Sequence, residues 1–201
     1  MTLVGTPTLF IDGEWCASGD GGRRPTYNPY DASVIMHVDE ATSNDARRAI
    51  AAAKAFFSSS DWSRRSYQDR CELLNRMADS LQKNKAELAR IETIDTGKTL
   101  GESEIDIDDV TNVFRFYAKE ALKLAEDKRV TGPLVPESVK SLIVHEPVGV
   151  CVLITPWNFP LSMGTRKIAP ALAAGCPVVL KPASATPLTA LLLMEILRDA
   201  G

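Results

Sequence analysis

The chain has only two histidines, His37 and His145, and four cysteines, Cys16, Cys71, Cys151 and Cys176, none of them in a CxxC pair. That inventory excludes a zinc site of the usual Cys/His spacing, and no metal is expected. No GxGxxG follows a predicted strand and no GxxxxGK[ST] occurs, which removes the standard dinucleotide fingerprint and weakens any nucleotide triphosphatase reading. Basic residues form pairs, Arg23-Arg24 and Arg64-Arg65, rather than tracts, and the formal net charge is -3. Neither nucleic acid nor an anionic membrane therefore has an electrostatic case as partner. The longest apolar runs, such as residues 190–194, are far too short to span a bilayer. Residues 1–5 are too short and mixed for a signal sequence. A reduced, soluble, cytoplasmic protein is expected.

What is present is ordinary globular material. Hydrophobic residues make up 45% and charged residues 24% of the 201 positions, enough for one core plus a smaller appendage. Leu9-Phe10-Ile11 and Glu14-Trp15-Cys16 read as short strands around an Asp12-Gly13 turn. Tyr27-Asn28-Pro29 reads as a turn, because a residue before proline avoids the helical region, and residues 34–38 read as a strand. A helix should begin near Ser43, with Ala46, Ala49, Ile50, Ala53 and Phe57 on its apolar side. A second helical pattern runs from about Ser66, breaks near Lys85 and closes at Gly97. A third runs from about Ile105 through Phe114 and Tyr117 to Leu124.

After Asp127 the helical period stops and residues 141–146 look extended. Residues 149–154 form a continuous apolar run, the pattern of a strand buried on both faces of a parallel sheet. A helix over 163–174 capped by Gly175, a second buried strand at 178–180, and a helix opened by Pro187 complete two strand–helix units. The order predicts an α/β chain that starts a doubly wound parallel sheet. Two parallel strands are few for a sheet buried on both faces, so the chain reads as cut after Gly201.

In open α/β sheets, ligands bind beyond the carboxyl ends of the strands. Here those ends carry Thr155-Pro156-Trp157-Asn158-Phe159-Pro160 and Lys181-Pro182-Ala183-Ser184. The Asn158 amide can donate to an oxyanion formed on a carbonyl, or it can simply cap the turn before Pro160. Lys181 can reach phosphate or ribose, or it can be a lysine snorkelling at a strand end. Ser184 can donate to ribose or sit as an ordinary loop serine. Cys151 and Cys176 read as inert core thiols.

The stretch from Glu146 onward resembles the aldehyde dehydrogenase superfamily. The text that carries the resemblance is EPVGV at 146–150, ITPWNFP at 154–160, KIAPALAAGC at 167–176 and KPAS at 181–184. Weaker matches upstream are Ile11-Asp12-Gly13-Glu14-Trp15, Asn28-Pro29 and Thr96-Gly97-Lys98. The resemblance implies NAD(P)-dependent oxidation of an aldehyde to a carboxylic acid through a cysteine thiohemiacetal, with NAD or NADP as cofactor. Asn158 matches the family's oxyanion-hole asparagine. Ile154, Thr155, Pro156 and Trp157 match the segment lining the cofactor. Lys181 matches the lysine that binds the adenosine ribose, with Pro182 and Ala183 leading to Ser184. Ser184 stands where NAD-preferring members often carry glutamate, so NADP is expected to be tolerated.

The family's nucleophilic cysteine and general-base glutamate lie well beyond position 201, so this chain alone is expected to be inactive. The other class of reading is accordingly a truncated, non-catalytic binding or assembly fragment. By the same resemblance, residues 1–127 hold the first strands and helices of the cofactor-binding domain. Residues 128–148 form a β-arm for homo-oligomerisation (dimer or tetramer), and residues 149–201 begin the dinucleotide-binding sheet. Thr165-Arg166-Lys167 resembles the version in semialdehyde dehydrogenases, so Arg166 either meets the far carboxylate of succinate semialdehyde or is a solvated helix arginine.

Overall fold

The computed structural model describes residues 7–59, 62–124, 128–130, 138, 139 and 141–201. Strands β1 (Leu9–Ile11) and β2 (Glu14–Cys16) form a hairpin. Its turn places Asp12 at φ 56° and Gly13 at φ 82°, the left-handed pair that matches the twist of the flanking strands. Strand β3 (Arg23–Tyr27) pairs antiparallel with β4 (Val34–Asp39). Sequence reasoning found β4 and missed β3, because Arg23, Arg24 and Pro25 hide a strand whose one buried residue is Thr26. Such a polar, proline-bearing strand is tolerated in a two-stranded ribbon, where one edge needs no partner.

Helix α1 (Ser43–Ser59) starts at the expected residue. Its expected apolar side is half-buried at Ala49, Ala53 and Phe57 and exposed at Ala46 and Ile50, and the one fully buried residue of α1 is Asp45. Helix α2 (Tyr67–Lys83) opens on a capping box between Ser66 and Asp69, which satisfies orphan amides from both sides. Helix α3 (Lys85–Thr96) ends on Gly97 at φ 80°, the left-handed C-cap that glycine adopts without penalty. Helix α4 (Leu100–Lys123) begins five residues earlier than the apolar pattern indicates, because Thr99 and Glu102 form a second capping box.

The core lies where α2, α4, α5 and α6 meet. Leu74, Leu81, Ile107, Phe114, Leu161, Ile168, Leu188 and Leu192 are all buried there. Buried side chains of this size each contribute on the order of 2 kcal/mol of hydrophobic stabilisation. Strands β5 (Lys128–Val130) and β6 (Ser141–Ile143) pair antiparallel, and Leu142, Ile143 and Val144 are exposed.

Strands β7 (Cys151–Ile154) and β8 (Val178–Lys181) pair in parallel, with α5 (Pro160–Ala173) between them in sequence and α6 (Leu188–Ala200) after them. Their burial departs from the sequence expectation: Val152 and Ile154 are 50% and 60% exposed. Alternate residues of β7 turn inward, and Leu153 packs against the core while its neighbours face out. Pro187 serves as the N-cap of α6 rather than its first helical residue. At the end of α5 the amide of Cys176 donates to Ala171 O at 2.8 Å and that of Gly175 to Leu172 O at 2.9 Å. Gly175 holds φ 83°, and a Cβ there would lie 2.5 Å from the guanidinium carbon of Arg70. The left-handed φ favours glycine, and a side chain here would also displace the end of Arg70.

Candidate active site

The parallel register places Ile154 opposite Lys181. One residue further, the Thr155 amide donates to the Lys181 carbonyl at 3.2 Å. The two loops singled out in the sequence therefore leave the same sheet edge side by side. The Thr186 hydroxyl donates to the Trp157 carbonyl at 2.9 Å and ties the second loop to the first. The ammonium of Lys167, on α5, donates to Ile154 O at 2.6 Å and holds the end of β7 from the helix side.

Trp157, Asn158 and Phe159 are exposed, whereas Thr155 is buried and its hydroxyl has no hydrogen-bond partner among the described residues. Phe159 is the N-cap of α5 and Pro160 fills its first turn, where a missing N–H costs nothing. Asn158 thus stands just before a helix N-terminus, where backbone dipoles favour negative charge. Lys181 is exposed and donates to the adjacent Pro182 carbonyl at 3.1 Å. Pro182 and Ala183 are half-buried, and Ser184 is exposed. Pro156 is exposed within the first loop. Arg166 lies on the exposed side of α5 and joins no hydrogen bond or ion pair among the described residues.

Phe159, the residue after Asn158, borders a groove of about 260 Å³ that is also lined by Lys98, Glu102, Ile105 and Asp106. The Lys98 ammonium sits 4.3 Å from the centroid of the Phe159 ring. It also donates to Asp106 at 2.6 Å and to Glu92 at 3.2 Å. Burial pushes the Glu92 carboxyl above its ordinary range, against the opposing charge of Lys98. Behind it, burial pushes Asp95 up to about 7, opposed by the hydrogen bond from the Leu188 amide. Glu102 is held below its ordinary range by the Thr99 hydroxyl and amide.

Sequence reasoning named no role for Lys98, Glu102, Asp106 or Lys167. A usable signal existed for two of them. The Thr99/Glu102 capping box fixes the start of α4, and Asp106 then falls four residues after Glu102 on the same helix face.

Three of the four thiols are unsuited to act as nucleophiles at this edge. Cys71 and Cys176 are buried, and burial raises the Cys151 thiol, with Cys176 beside it adding to the shift. A thiol shifted in that direction carries little thiolate.

The chain is 43% identical over 194 residues to a betaine aldehyde dehydrogenase of Bacillus subtilis (strain 168), covering 96% of this chain and 39% of that protein. It is 41% identical to a peroxisomal aminoaldehyde dehydrogenase 2 of Pisum sativum, covering 98% and 40%. Among solved structures, a Staphylococcus aureus betaine aldehyde dehydrogenase in complex with NAD+ superposes with a TM-score of 0.90 at 43% identity, covering 96% of this chain and 38% of that one. The chain thus spans about two fifths of the length of these relatives. No helix among the described residues is long and apolar enough to cross a membrane. The profile of the aldehyde dehydrogenase family matches residues 15–201, so the chain belongs to the aldehyde dehydrogenase family.

Proposed function

We propose that the complete protein carrying this chain oxidises an aldehyde bearing an ammonium or trimethylammonium group to the carboxylic acid, with NAD or NADP as cofactor. The observation that supports this reading is the groove bordered by Phe159, whose lining carries two carboxylates, Glu102 and Asp106, against one ammonium, Lys98. Carboxylates and an aromatic face are what recognise an organic cation. The names of the relatives, betaine aldehyde and aminoaldehyde dehydrogenases, point to the same substrate class.

The exposed Asn158 amide supplies N–H donors for the oxyanion that forms when a cysteine thiolate adds to the aldehyde carbon. That thiolate is not among Cys16, Cys71, Cys151 and Cys176. By the family resemblance it lies beyond residue 201, together with the general base. The nicotinamide cofactor supplies the hydride acceptor. This chain's residues fit it: the buried Thr155 hydroxyl has no partner among the described residues, and Ile154, Pro156 and Trp157 belong to the first strand end and its loop. Lys181 and Ser184 sit exposed at the neighbouring strand end, where they would meet the adenosine ribose, with Pro182 and Ala183 shaping the turn between them.

The succinate semialdehyde expectation rested on Arg166. The relatives are betaine aldehyde and aminoaldehyde dehydrogenases and do not support it, and the groove's excess of carboxylates favours the opposite substrate charge. The β5–β6 arm, with its exposed apolar Leu142, Ile143 and Val144, is assigned to association of like subunits in a dimer or tetramer. Steady-state NADH formation with betaine aldehyde, 3-aminopropanal and succinate semialdehyde tests the reading. Higher kcat/KM for the two cationic aldehydes is expected, and a preference for succinate semialdehyde would overturn it.

A further inference from the structure

Among the described residues that line the groove, Lys98 is the one cation. Its side chain is only 13% exposed, yet it touches three separate elements. Glu92 comes from α3, Asp106 from α4, and Phe159 from the loop before α5. Its position is fixed from behind. Gly97 turns the chain at φ 80° just before it, and a Cβ there would meet Pro29 at 2.8 Å, so the turn that carries Lys98 calls for glycine.

A purely structural lysine would be satisfied by the fully buried Glu92. Lys98 instead reaches past it to the two groove-lining groups best suited to a cation, the Asp106 carboxylate at 2.6 Å and the Phe159 ring at 4.3 Å. A carboxylate and an aromatic face around one ammonium form the constellation that also recognises a cationic ligand. An ammonium already in that place competes with an incoming one.

We propose that Lys98 is a positioning residue that sets the charge preference of the groove: its ammonium fills the seat formed by Asp106 and Phe159 and so limits how strongly a substrate ammonium is held. The inference rests on the ammonium-aldehyde reading above. The lysine acts through Asp106 and Phe159 and not on the reacting carbonyl. Its effect therefore falls on discrimination between charged and neutral aldehydes, and appears in KM more than in kcat.

Betaine aldehyde and its neutral carbon isostere 3,3-dimethylbutanal differ in charge and hardly in shape. In the complete protein, Lys98→Met combined with Glu92→Gln empties the seat without leaving a buried carboxylate unpaired. The ratio of KM for the neutral aldehyde to KM for betaine aldehyde should rise about tenfold, as expected when one cation–π contact and one carboxylate become available to the substrate. Lys98→Arg, which keeps a cation there, should leave that ratio near the wild-type value. If the double variant does not fold, Lys98→Gln alone gives the same comparison.

A ratio unchanged in the charge-removing variants, with wild-type preference for betaine aldehyde intact, would overturn the role of Lys98 alone. A wild-type protein that does not prefer betaine aldehyde to its isostere would overturn the substrate reading itself, and this inference with it.

Discussion

The carboxylate of Asp95 accepts a hydrogen bond from the backbone amide of Leu188 at 2.8 Å, so the end of α3 caps the first turn of α6 across 93 residues of sequence. The same carboxyl is pushed up to about 7 from 3.8, chiefly by burial. Its other oxygen has no partner among the described residues. A carboxyl whose folded pKa lies above its unfolded value holds its proton longer in the folded state. Its contribution to stability is therefore complete below about pH 4 and is lost as the pH rises through about 7. Thermal unfolding followed across this window should show Asp95→Asn less pH-dependent than wild type. Parallel curves for the two proteins would contradict this origin.

The oxyanion role of Asn158 predicts a loss confined to the chemical step. Asn158→Ala in the complete protein should lower kcat by roughly 10²–10³-fold, the usual cost of one oxyanion donor, with a much smaller change in KM. A loss carried by KM alone would assign Asn158 to substrate binding.

At Ser184 the prediction concerns cofactor choice. Wild type should use NADP as well as NAD, because no carboxylate stands there to repel a 2′-phosphate. Ser184→Glu should reduce kcat/KM for NADP by about tenfold or more relative to NAD, since opposed like charges cost several kcal/mol at a binding interface. Strict NAD preference in wild type, measured with both cofactors side by side, would remove the premise.

Gly175 combines a left-handed backbone with contact against Arg70. Gly175→Ala should destabilise the protein by about 2 kcal/mol, since strain at a special φ is compounded by steric overlap. Denaturant midpoints measure this directly, and an unchanged midpoint would mean that the Arg70 side chain moves aside and the turn relaxes.

Much of this architecture is legible in local chemistry. Asp12-Gly13 specifies its hairpin, Ser43 and Gly97 mark helix ends, and the loops after β7 and β8 announce a shared sheet edge from strand order alone. What was not legible depends on distant partners. The strand at 23–27 exists because β4 pairs with it. The exposure of Val152 and Ile154 depends on what covers the sheet, not on their own apolar character. The groove requires α4 to approach the loop before α5, so Glu102, Asp106 and Phe159 meet across more than fifty residues of chain.

The Thr186 hydroxyl bonded to the Trp157 carbonyl links the loop that carries Ser184 to the loop that carries Asn158. Substitutions in the two loops should therefore be epistatic. Redesigning cofactor preference at one strand end would disturb carbonyl geometry at the other, and a coenzyme switch in this protein would need a compensating change across the tether before its turnover recovered.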